Sequence, residues 1–416
     1  MEKRTDVEWR PQMREYDYPV AFSHWGDEER AAIARVIKSG RYTMGAEVEA
    51  FEHEFASWHG MKHGVMVNSG SSANLLAVAA LFHKRDNPLQ RPEPDEVIVE
   101  QNGHGRVVPM RKLPDAVLVP ALAWSTTYAP LVQHSLDLRL LDCDETWNAP
   151  IPDHYRRMKL RLIIACSILG NPGYLADWKT EADKIGAYFI EDNCESFGAV
   201  GSDGRLCGTH GIMNTFSFFY SHQISAIEGG MILTNDDECA SLCRKLRAHG
   251  WTRDVKKPER FEDEYDFEMF GYNLRPLELH AAVAREQLKK QDGFKHWRQQ
   301  NQALFANLMD QGYPMPITLP KTNGEINPFG INFLCENEEQ RRKVVNAFRE
   351  NGIDCRLPTG GSFNLHRYGK NWAGQKTPQA DDIHRRGLFI GNAPFSIEKQ
   401  IHRANAVIRA VFHKVT

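Results

Sequence analysis

The sequence predicts an α/β fold with a mainly parallel sheet. Short apolar runs alternate with helix-length segments from about residue 60 to about residue 290, which is typical of such sheets. The runs that we predict as buried strands are residues 65–67, 116–119, 162–165, 187–190 and 231–233. A chain of 416 residues is also long enough for a large and a small domain. We expect an N-terminal arm and helix over 1–35, a large domain over 36–290 and a smaller C-terminal α/β domain over 291–416.

Helical spacing of apolar residues marks the segments around these strands. We predict helices within residues 26–39, 42–60, 277–291 and 297–309. Residues 86–114 interrupt the pattern, because they are rich in proline and charge and contain the sequence NGHG. We interpret this insert as two short strands around a glycine turn that project into solvent.

Composition excludes several classes of function. Lys plus Arg is 51 and Asp plus Glu is 54, so the net charge is −3 and a basic nucleic-acid surface is not expected. No apolar run approaches the roughly 18 residues of a membrane span, and the charged N-terminus has no apolar core of a secretory signal. The eight cysteines show no C-x-x-C or zinc spacing, which favours reduced thiols in the cytoplasm.

The first chemical signal is NSGSSANL at residues 68–75, which follows a predicted strand and opens an apolar helix. Small residues at a helix N-terminus let N–H groups and hydroxyls approach an anion such as a phosphate. An ordinary capped helix start explains the same residues.

The second signal is an acidic pair directly after a predicted strand, in the sequence IEDNCESFG at residues 190–198. A carboxylate at this edge of a sheet could hold a protonated ring nitrogen, as pyridoxal-phosphate enzymes require. A strand-end aspartate that caps the next turn is equally compatible with the sequence.

The third signal is TFSFFYSHQISAIEGG at residues 215–230, which places hydroxyls and one imidazole between two strands. A single histidine is usually structural. Here small polar residues flank His222, and that context favours a catalytic role only modestly.

Taken in order, NSGSSANL, PALAWSTT, EDNCESFGA, SFFYSHQISAIEGG and GYNLRPLE resemble the DegT/DnrJ/EryC1/StrS family. These are pyridoxal-phosphate enzymes of sugar-nucleotide metabolism with the aspartate aminotransferase fold. The resemblance covers nearly the whole chain. It implies a large domain with a mainly parallel seven-stranded sheet and a smaller C-terminal domain.

One departure from the common family pattern concerns the reaction. Family aminotransferases carry a Schiff-base lysine eight residues before the second glycine of the E-G-G turn, where this chain has His222. The exchange is similar to that of the family's 3-dehydratase branch, in which an imidazole serves as acid and base. The resemblance then implies pyridoxal and pyridoxamine phosphate as cofactor forms, L-glutamate as amino donor, and loss of the C3 hydroxyl from a nucleotide-linked 4-keto-6-deoxy sugar.

The resemblance assigns cofactor contacts to seven positions: Ser71, Ser72, Trp124, Asp192, Glu195, Ser217 and Asn273. Asp192 would face the pyridine nitrogen, Trp124 would stack on the ring, and Glu195 would lie on the ring-hydroxyl side. Asn273 would reach the phosphate from a partner subunit, which implies a homodimer with shared sites.

Two further positions are expected to bind substrate. The planar fork of Arg275 suits the carboxylate of glutamate, although an interface ion pair is the alternative. His249 could equally be structural. GDP-4-keto-6-deoxy-D-mannose is the implied substrate, with CDP and TDP sugars left open, and the product would be a dideoxysugar precursor of lipopolysaccharide O-antigen.

The rival functions are a sugar aminotransferase, an iron–sulfur-dependent 3-dehydrase and a cofactor-binding regulator. The missing lysine disfavours the first. No cysteine lies in residues 247–267, where the iron–sulfur branch needs a cluster, so neither a cluster nor a partner reductase is expected.

Overall fold

A computed structural model of the chain describes residues 16–86, 95–101, 104–110, 116–153, 155, 158–257, 259–311, 315–372 and 374–413. The strands are β1 (His63–Val67), β2 (Asp95–Gln101), β3 (His104–Met110), β4 (Ala116–Pro120), β5 (Asp137–Leu141), β6 (Leu160–Cys166), β7 (Tyr188–Asp192), β8 (Met213–Ser217), β9 (Gly230–Thr234), β10 (Ile317–Thr318), β11 (Gly330–Cys335), β12 (Cys355–Arg356) and β13 (Gly387–Gly391). The α-helices are α1 (Asp27–Ser39), α2 (Ala46–His59), α3 (Gly70–His83), α4 (Ser125–Gln133), α5 (Leu175–Ile185), α6 (Asp237–Arg247), α7 (Glu278–Leu288), α8 (Gln291–Asp310), α9 (Glu338–Glu350), α10 (Pro378–Arg386) and α11 (Glu398–His413).

The large sheet has seven strands in the order β1-β9-β8-β7-β6-β4-β5. Strand β9 runs antiparallel to β1 and β8, and the other neighbouring strands are parallel. The predicted α/β fold with a mainly parallel sheet is therefore confirmed. All five predicted apolar runs correspond to strands of this sheet. Four lie entirely within their strands, and the run at 187–190 begins one residue before β7.

Two strands of this sheet were not predicted. The sequence of β5, DLRLL, carries charges, and that of β8, MNTFS, carries polar residues. In β8, Asn214 and Thr215 are buried, and hydrogen bonds to neighbouring groups make their burial possible. Because these residues are polar, β8 does not appear in the sequence as an apolar run.

The predicted insert forms a hairpin. Strands β2 and β3 pair antiparallel from Asp95 with Met110 to Gln101 with His104. This pairing confirms the two short strands, while the predicted glycine turn at 102–103 lies outside the described residues. Within the described part of the chain, the hairpin forms a two-stranded sheet of its own.

A second sheet has the order β10-β11-β13-β12 and packs with α8, α9 and α11 around a separate apolar cluster. Tyr18 from the N-terminal arm is buried in this cluster, and its hydroxyl donates to the carbonyl of Gly391 at 2.9 Å. The proposed domain boundary falls where α7 gives way to α8, and it stays a prediction. None of the helices in the described residues combines the length and the hydrophobicity that a bilayer crossing requires.

Candidate active site

The carboxyl end of β7 carries Asp192 in a buried hydrogen-bond network. Its Oδ2 accepts from Asn74 Nδ2 and from Thr127 Oγ1, each at 2.8 Å. Its Oδ1 accepts from the backbone N–H of Cys194 at 3.2 Å. Asn74 in turn accepts a hydrogen bond from Thr215 Oγ1 at 2.6 Å. Helices α3 and α4 and the loop after β7 therefore fix this carboxylate in one orientation.

The carboxylate of Asp192 has no positively charged partner in the part of the chain that the structure describes. The side chain is 6% exposed, and among the described residues it forms no salt bridge. A buried carboxylate is costly unless it is hydrogen-bonded and paired with a positive charge. A ligand with a protonated ring nitrogen would supply the missing cation.

The start of α3 brings three serines together. Ser69 caps the helix, and its Oγ accepts from the backbone N–H of Ser72 at 3.1 Å. A Cβ on Gly70 would lie 2.5 Å from Cβ of Ser217, so only glycine lets the end of β8 approach the helix start so closely. Ser71 Oγ lies 2.8 Å from Thr126 Oγ1. This helix N-terminus with its hydroxyl groups suits a phosphate, although the N–H of Ser72 already donates to Ser69.

Trp124 stands at the carboxyl end of β4, immediately before α4. Its side chain is unusually exposed for an indole, at 56%. One side of the ring lies against the backbone of Gly360, where a Cβ would come within 3.1 Å of Trp124 Cε3. The ring therefore has a support behind it and an open surface, on the same sheet edge as Asp192.

His222 lies on the loop between β8 and β9. Its Nδ1 is hydrogen-bonded to the carbonyl oxygen of Cys194. Because a carbonyl only accepts, Nδ1 carries the proton of the neutral ring and Nε2 keeps the lone pair. The imidazole contacts Phe329 edge-on, with 5.0 Å between ring centroids. Burial lowers the pKa of His222 to about 4, so the ring is a neutral base at neutral pH.

Glu195 follows three residues after Asp192 and faces the loop after β6. Its Oε2 accepts from the backbone N–H of Leu169 at 2.9 Å. Burial, together with the charge of Asp192, raises the pKa of Glu195 to about 8. The side chain is therefore a neutral acid at pH 7 and can donate a hydrogen bond. Leu169 has φ of 52°, an uncommon left-handed conformation for a residue with a side chain.

The remaining predicted residues, His249, Asn273 and Arg275, lie in the segment 249–275, which we call the exposed edge. His249 and Asn273 are exposed, and their segments are joined by a backbone bridge between Ala248 and Asn273. Arg275 Nε donates to Asn273 Oδ1 at 3.1 Å. Helix α7 has Leu277 as its N-cap, so Asn273 does not cap it. The backbone N–H of Asn68 donates to the carbonyl of Leu274 at 3.0 Å, which ties this exposed edge to the residue preceding Ser69.

Sequence reasoning missed several residues of the site. Asn74 and Thr127 lie inside motifs that were recognised; the amide of Asn74 before the apolar run of α3 was an available signal, whereas Thr127 stands among other hydroxyl residues and gave none. Phe329 gave none, because it comes from a distant part of the chain.

The model of the DegT/DnrJ/EryC1/StrS aminotransferase family matches residues 24–104 and 111–409. The chain belongs to this family. The gap in the match falls within β3, inside the predicted insert. Family membership agrees with the seven-stranded fold and with the order of the recognised motifs.

Relatives with known names point to one branch of the family. The chain is 35% identical over 404 residues to GDP-4-keto-6-deoxy-D-mannose 3-dehydratase of Yersinia pseudotuberculosis, covering 92% of this chain and 96% of that enzyme. The Escherichia coli enzyme of that name, solved with bound hydrated PLP, superposes with a TM-score of 0.83 at 32% identity, covering 95% of this chain and all of that one. A structure of GDP-4-keto-6-deoxymannose-3-dehydratase with a trapped PLP-glutamate geminal diamine gives a TM-score of 0.81 at 32% identity, covering 94% and 100% of the two chains.

Proposed function

We propose that this chain is a pyridoxal-phosphate-dependent 3-dehydratase that acts on a GDP-linked 4-keto-6-deoxy sugar, GDP-4-keto-6-deoxy-D-mannose first among them. In the net reaction, the sugar and L-glutamate give the 4-keto-3,6-dideoxy sugar, 2-oxoglutarate and ammonia. The observation that carries the proposal is His222 in place of the family's lysine, neutral and with Nε2 as its acceptor. The names of the relatives support the substrate and the amino donor.

The site fits the cofactor on three counts. Asp192 is a buried carboxylate without a salt bridge among the described residues, the first turn of α3 with Ser71, Ser72 and Ser217 offers a phosphate cradle, and Trp124 offers an open aromatic face. When bound, the cofactor supplies a primary amine for the sugar ketone and a pyridinium ring that accepts electrons. In this proposal Asp192 keeps the ring nitrogen protonated through its negative charge.

His222 is the general base and then the general acid. Its Nδ1–H is held by the carbonyl of Cys194, so Nε2 takes a proton and returns it to the departing C3 hydroxyl. The depressed pKa keeps the ring free of a proton before the reaction begins. Lysine at this position would instead bind the cofactor covalently, which is the family's route to transamination.

Glu195 stands where family aminotransferases commonly have glutamine. As a neutral acid, it would donate a hydrogen bond on the ring-hydroxyl side of a bound cofactor, as an amide would. The N–H of Leu169 holds the other carboxyl oxygen, so the acidic proton is directed away from that backbone.

The exposed edge is assigned to a second copy of the chain. In the homodimer that we propose, Asn273 reaches the phosphate bound by the partner, and Arg275 and His249 take part in binding glutamate or sugar. Arg275 makes no salt bridge among the described residues, so its fork is available for a carboxylate. The eight cysteines are all free, which supports work in a reducing cytoplasm. No iron–sulfur cluster or reductase takes part in the proposed reaction.

The test is product analysis from purified protein supplied with pyridoxal phosphate, L-glutamate and a panel of GDP-, CDP- and TDP-linked 4-keto-6-deoxy sugars. We expect a product lighter than the GDP sugar by one oxygen atom, formed with one 2-oxoglutarate and one ammonia. An amino sugar would identify an aminotransferase. Activity that requires added iron and a reductase would identify the iron–sulfur alternative.

A further inference from the structure

The residue next to the proposed base is a buried amide that joins three parts of the site. Gln223 is 1% exposed, and its Nε2 donates to the carbonyl of Glu195 at 2.6 Å and to the carbonyl of Asn327 at 3.1 Å. We infer that Gln223 is a positioning residue that holds the His222 imidazole between the loop after β7 and the segment 327–329. The inference rests on the proposed function only for the task of His222.

The first half of this clamp is a pair of neighbouring contacts. His222 is hydrogen-bonded to the carbonyl of Cys194, and Gln223 donates to the carbonyl of Glu195. Two consecutive side chains therefore bind two consecutive carbonyl groups. This arrangement fixes the register of one loop on the other, so the imidazole cannot shift along the loop after β7 without breaking both bonds.

The second half of the clamp is the segment that covers the imidazole. Gln223 binds the carbonyl of Asn327, and Phe329 places its ring edge-on against His222. The same segment is anchored to the loop after β6, since Asn327 N–H donates to Gly170 at 3.0 Å and Phe329 N–H donates to Leu169 at 3.1 Å. Gln223 thus connects the segment that covers the imidazole to the loop that hydrogen-bonds it, next to a second link in which Asn327 Nδ2 donates to the carbonyl of Phe197 at 2.7 Å.

An uncharged amide suits this position. Two carbonyl oxygens must be satisfied in a buried place, and a primary amide supplies two N–H donors without a charge. Glutamate would set a carboxylate against both carbonyls, and leucine would leave both carbonyls without this donor, which is unfavourable for buried polar groups. Another residue also takes part in the packing, since Gln291 Nε2 donates to the backbone carbonyl of Gln223 at 3.2 Å.

Loss of the clamp should change the titration of His222. Burial is the largest influence on its pKa and lowers it, the Cys194 carbonyl and Asp192 raise it, and Arg298 on α8 lowers it. If Gln223 no longer holds the cover in place, water reaches the ring and the burial effect weakens. The pKa should then move from about 4 towards the ordinary value of 6.5.

The experiment compares Gln223→Leu with the matched control Gln299→Leu. Gln299 also donates its amide to the 325–329 segment, at 2.9 Å from the carbonyl of Ile326 and 3.3 Å from Glu325 Oε1, and among the described residues it forms no hydrogen bond to His222 or to the loop after β7. The readout is the rate at which diethyl pyrocarbonate modifies His222, measured by peptide mass spectrometry between about pH 5 and pH 7.5. This chemistry reports the neutral imidazole and requires no turnover.

We expect a flat rate in the wild type and in Gln299→Leu, and in Gln223→Leu a rate that falls as the pH drops below about 6.5. In turnover, kcat of Gln223→Leu should fall at least about tenfold with little change in KM, because the base is displaced and not the substrate site. Gln223→His, which keeps one N–H donor, should be intermediate, and it carries the test if the leucine variant does not fold.

The outcomes separate the two proposals. A folded variant with the wild-type labelling profile and wild-type kcat overturns the positioning role of Gln223, whatever the reaction proves to be. A shifted labelling profile in a protein that makes no dideoxy sugar supports the clamp and removes the proposed function instead.

Discussion

Two regions hold their polar groups in different ways: the inner face, by which we mean the site at the carboxyl ends of the strands around Asp192 and His222, and the exposed edge formed by residues 249–275. At the inner face, Asp192 and His222 are bound to partners from several elements of the same chain. At the edge, the side chains of Asn273 and Arg275 hydrogen-bond to one another and are otherwise open. The comparison indicates that one chain holds Asp192 and His222 by itself, whereas the edge leaves its polar groups open, as the proposed homodimer requires.

Apolar residues around the edge strengthen that contrast. Phe270 is 100% exposed, Phe261 75% and Phe267 53%. Three exposed aromatic side chains within ten residues are unusual on a surface that stays in water and are typical of an interface. The proposed second copy would bury them and bring Asn273 to a site that its own chain does not complete.

The largest expected effect is at the inner face. His222→Asn should lower dehydration by about 10²–10⁴-fold, because the general base is lost. Asparagine can still donate to the carbonyl of Cys194, so the loop and cofactor binding should be preserved. Turnover and cofactor absorbance of the same sample measure the two properties. His402→Asn on the exposed face of α11 is the control and should behave as wild type.

Mixing two defective proteins tests the other side of the comparison. If Asn273 completes the partner's site, a hybrid of His222→Asn and Asn273→Ala chains has one site with both lesions and one site with neither. An equal mixture under exchange conditions should regain about a quarter of wild-type activity, since half of the dimers are hybrids with one intact site of two. Activity is assayed before and after exchange.

The mixing experiment has a clear negative result. If each chain completes its own site, every site in the hybrid keeps a lesion and mixing restores nothing. The interface role of Asn273 would then be dropped even if the protein is a dimer by light scattering.

The open indole of Trp124 should give a smaller effect. Gly360→Ala places a methyl group against the ring, where 3.1 Å is too close, and should weaken cofactor binding roughly tenfold by displacing the stacking surface. Gly360 has φ of 85°, so alanine there also strains the backbone. Gly204→Ala is the matched control, because Gly204 has φ of 80° and a Cβ added there would meet nothing within 4 Å. Fluorescence titration with pyridoxal phosphate measures both; equal affinities would remove the support role of Gly360.

The smallest effect concerns Glu195 and is visible in stability. The folded pKa of about 8 exceeds the ordinary 4.5, so the unfolded chain ionises first as the pH rises. As the pH rises from about 4.5 to about 8, the free energy of unfolding of the wild-type apoprotein should therefore fall relative to that of Glu195→Gln. Above about pH 8 the difference between the two proteins should stay constant. Thermal unfolding should show the two proteins alike near pH 4.5 and separated by at least about 2 °C at pH 8. A gap independent of pH would mean that Glu195 is ionised in the folded protein.

The sequence predicted the fold well because the core strands of an α/β sheet are continuous apolar runs between helices. It also predicted the residues at the strand ends, since Asp192 and the serines of α3 directly follow such runs. It could not predict Phe329 or the contacts of Gln223, because these depend on how the 327–329 segment folds back over the loop after β7. Neither could spacing predict that burial makes Glu195 a neutral acid, which is a property of its surroundings.

The most direct test of the account is the product formed from GDP-4-keto-6-deoxy-D-mannose by wild-type protein and by His222→Lys, each with pyridoxal phosphate and L-glutamate. Mass spectrometry of the sugar nucleotide should show loss of one oxygen atom with the wild type, and no such loss with the lysine variant, whose new amine should instead bind the cofactor covalently. An amino sugar from the wild-type protein, or equal loss of oxygen with both proteins, would contradict the assignment of His222 as the group that makes this chain a dehydratase.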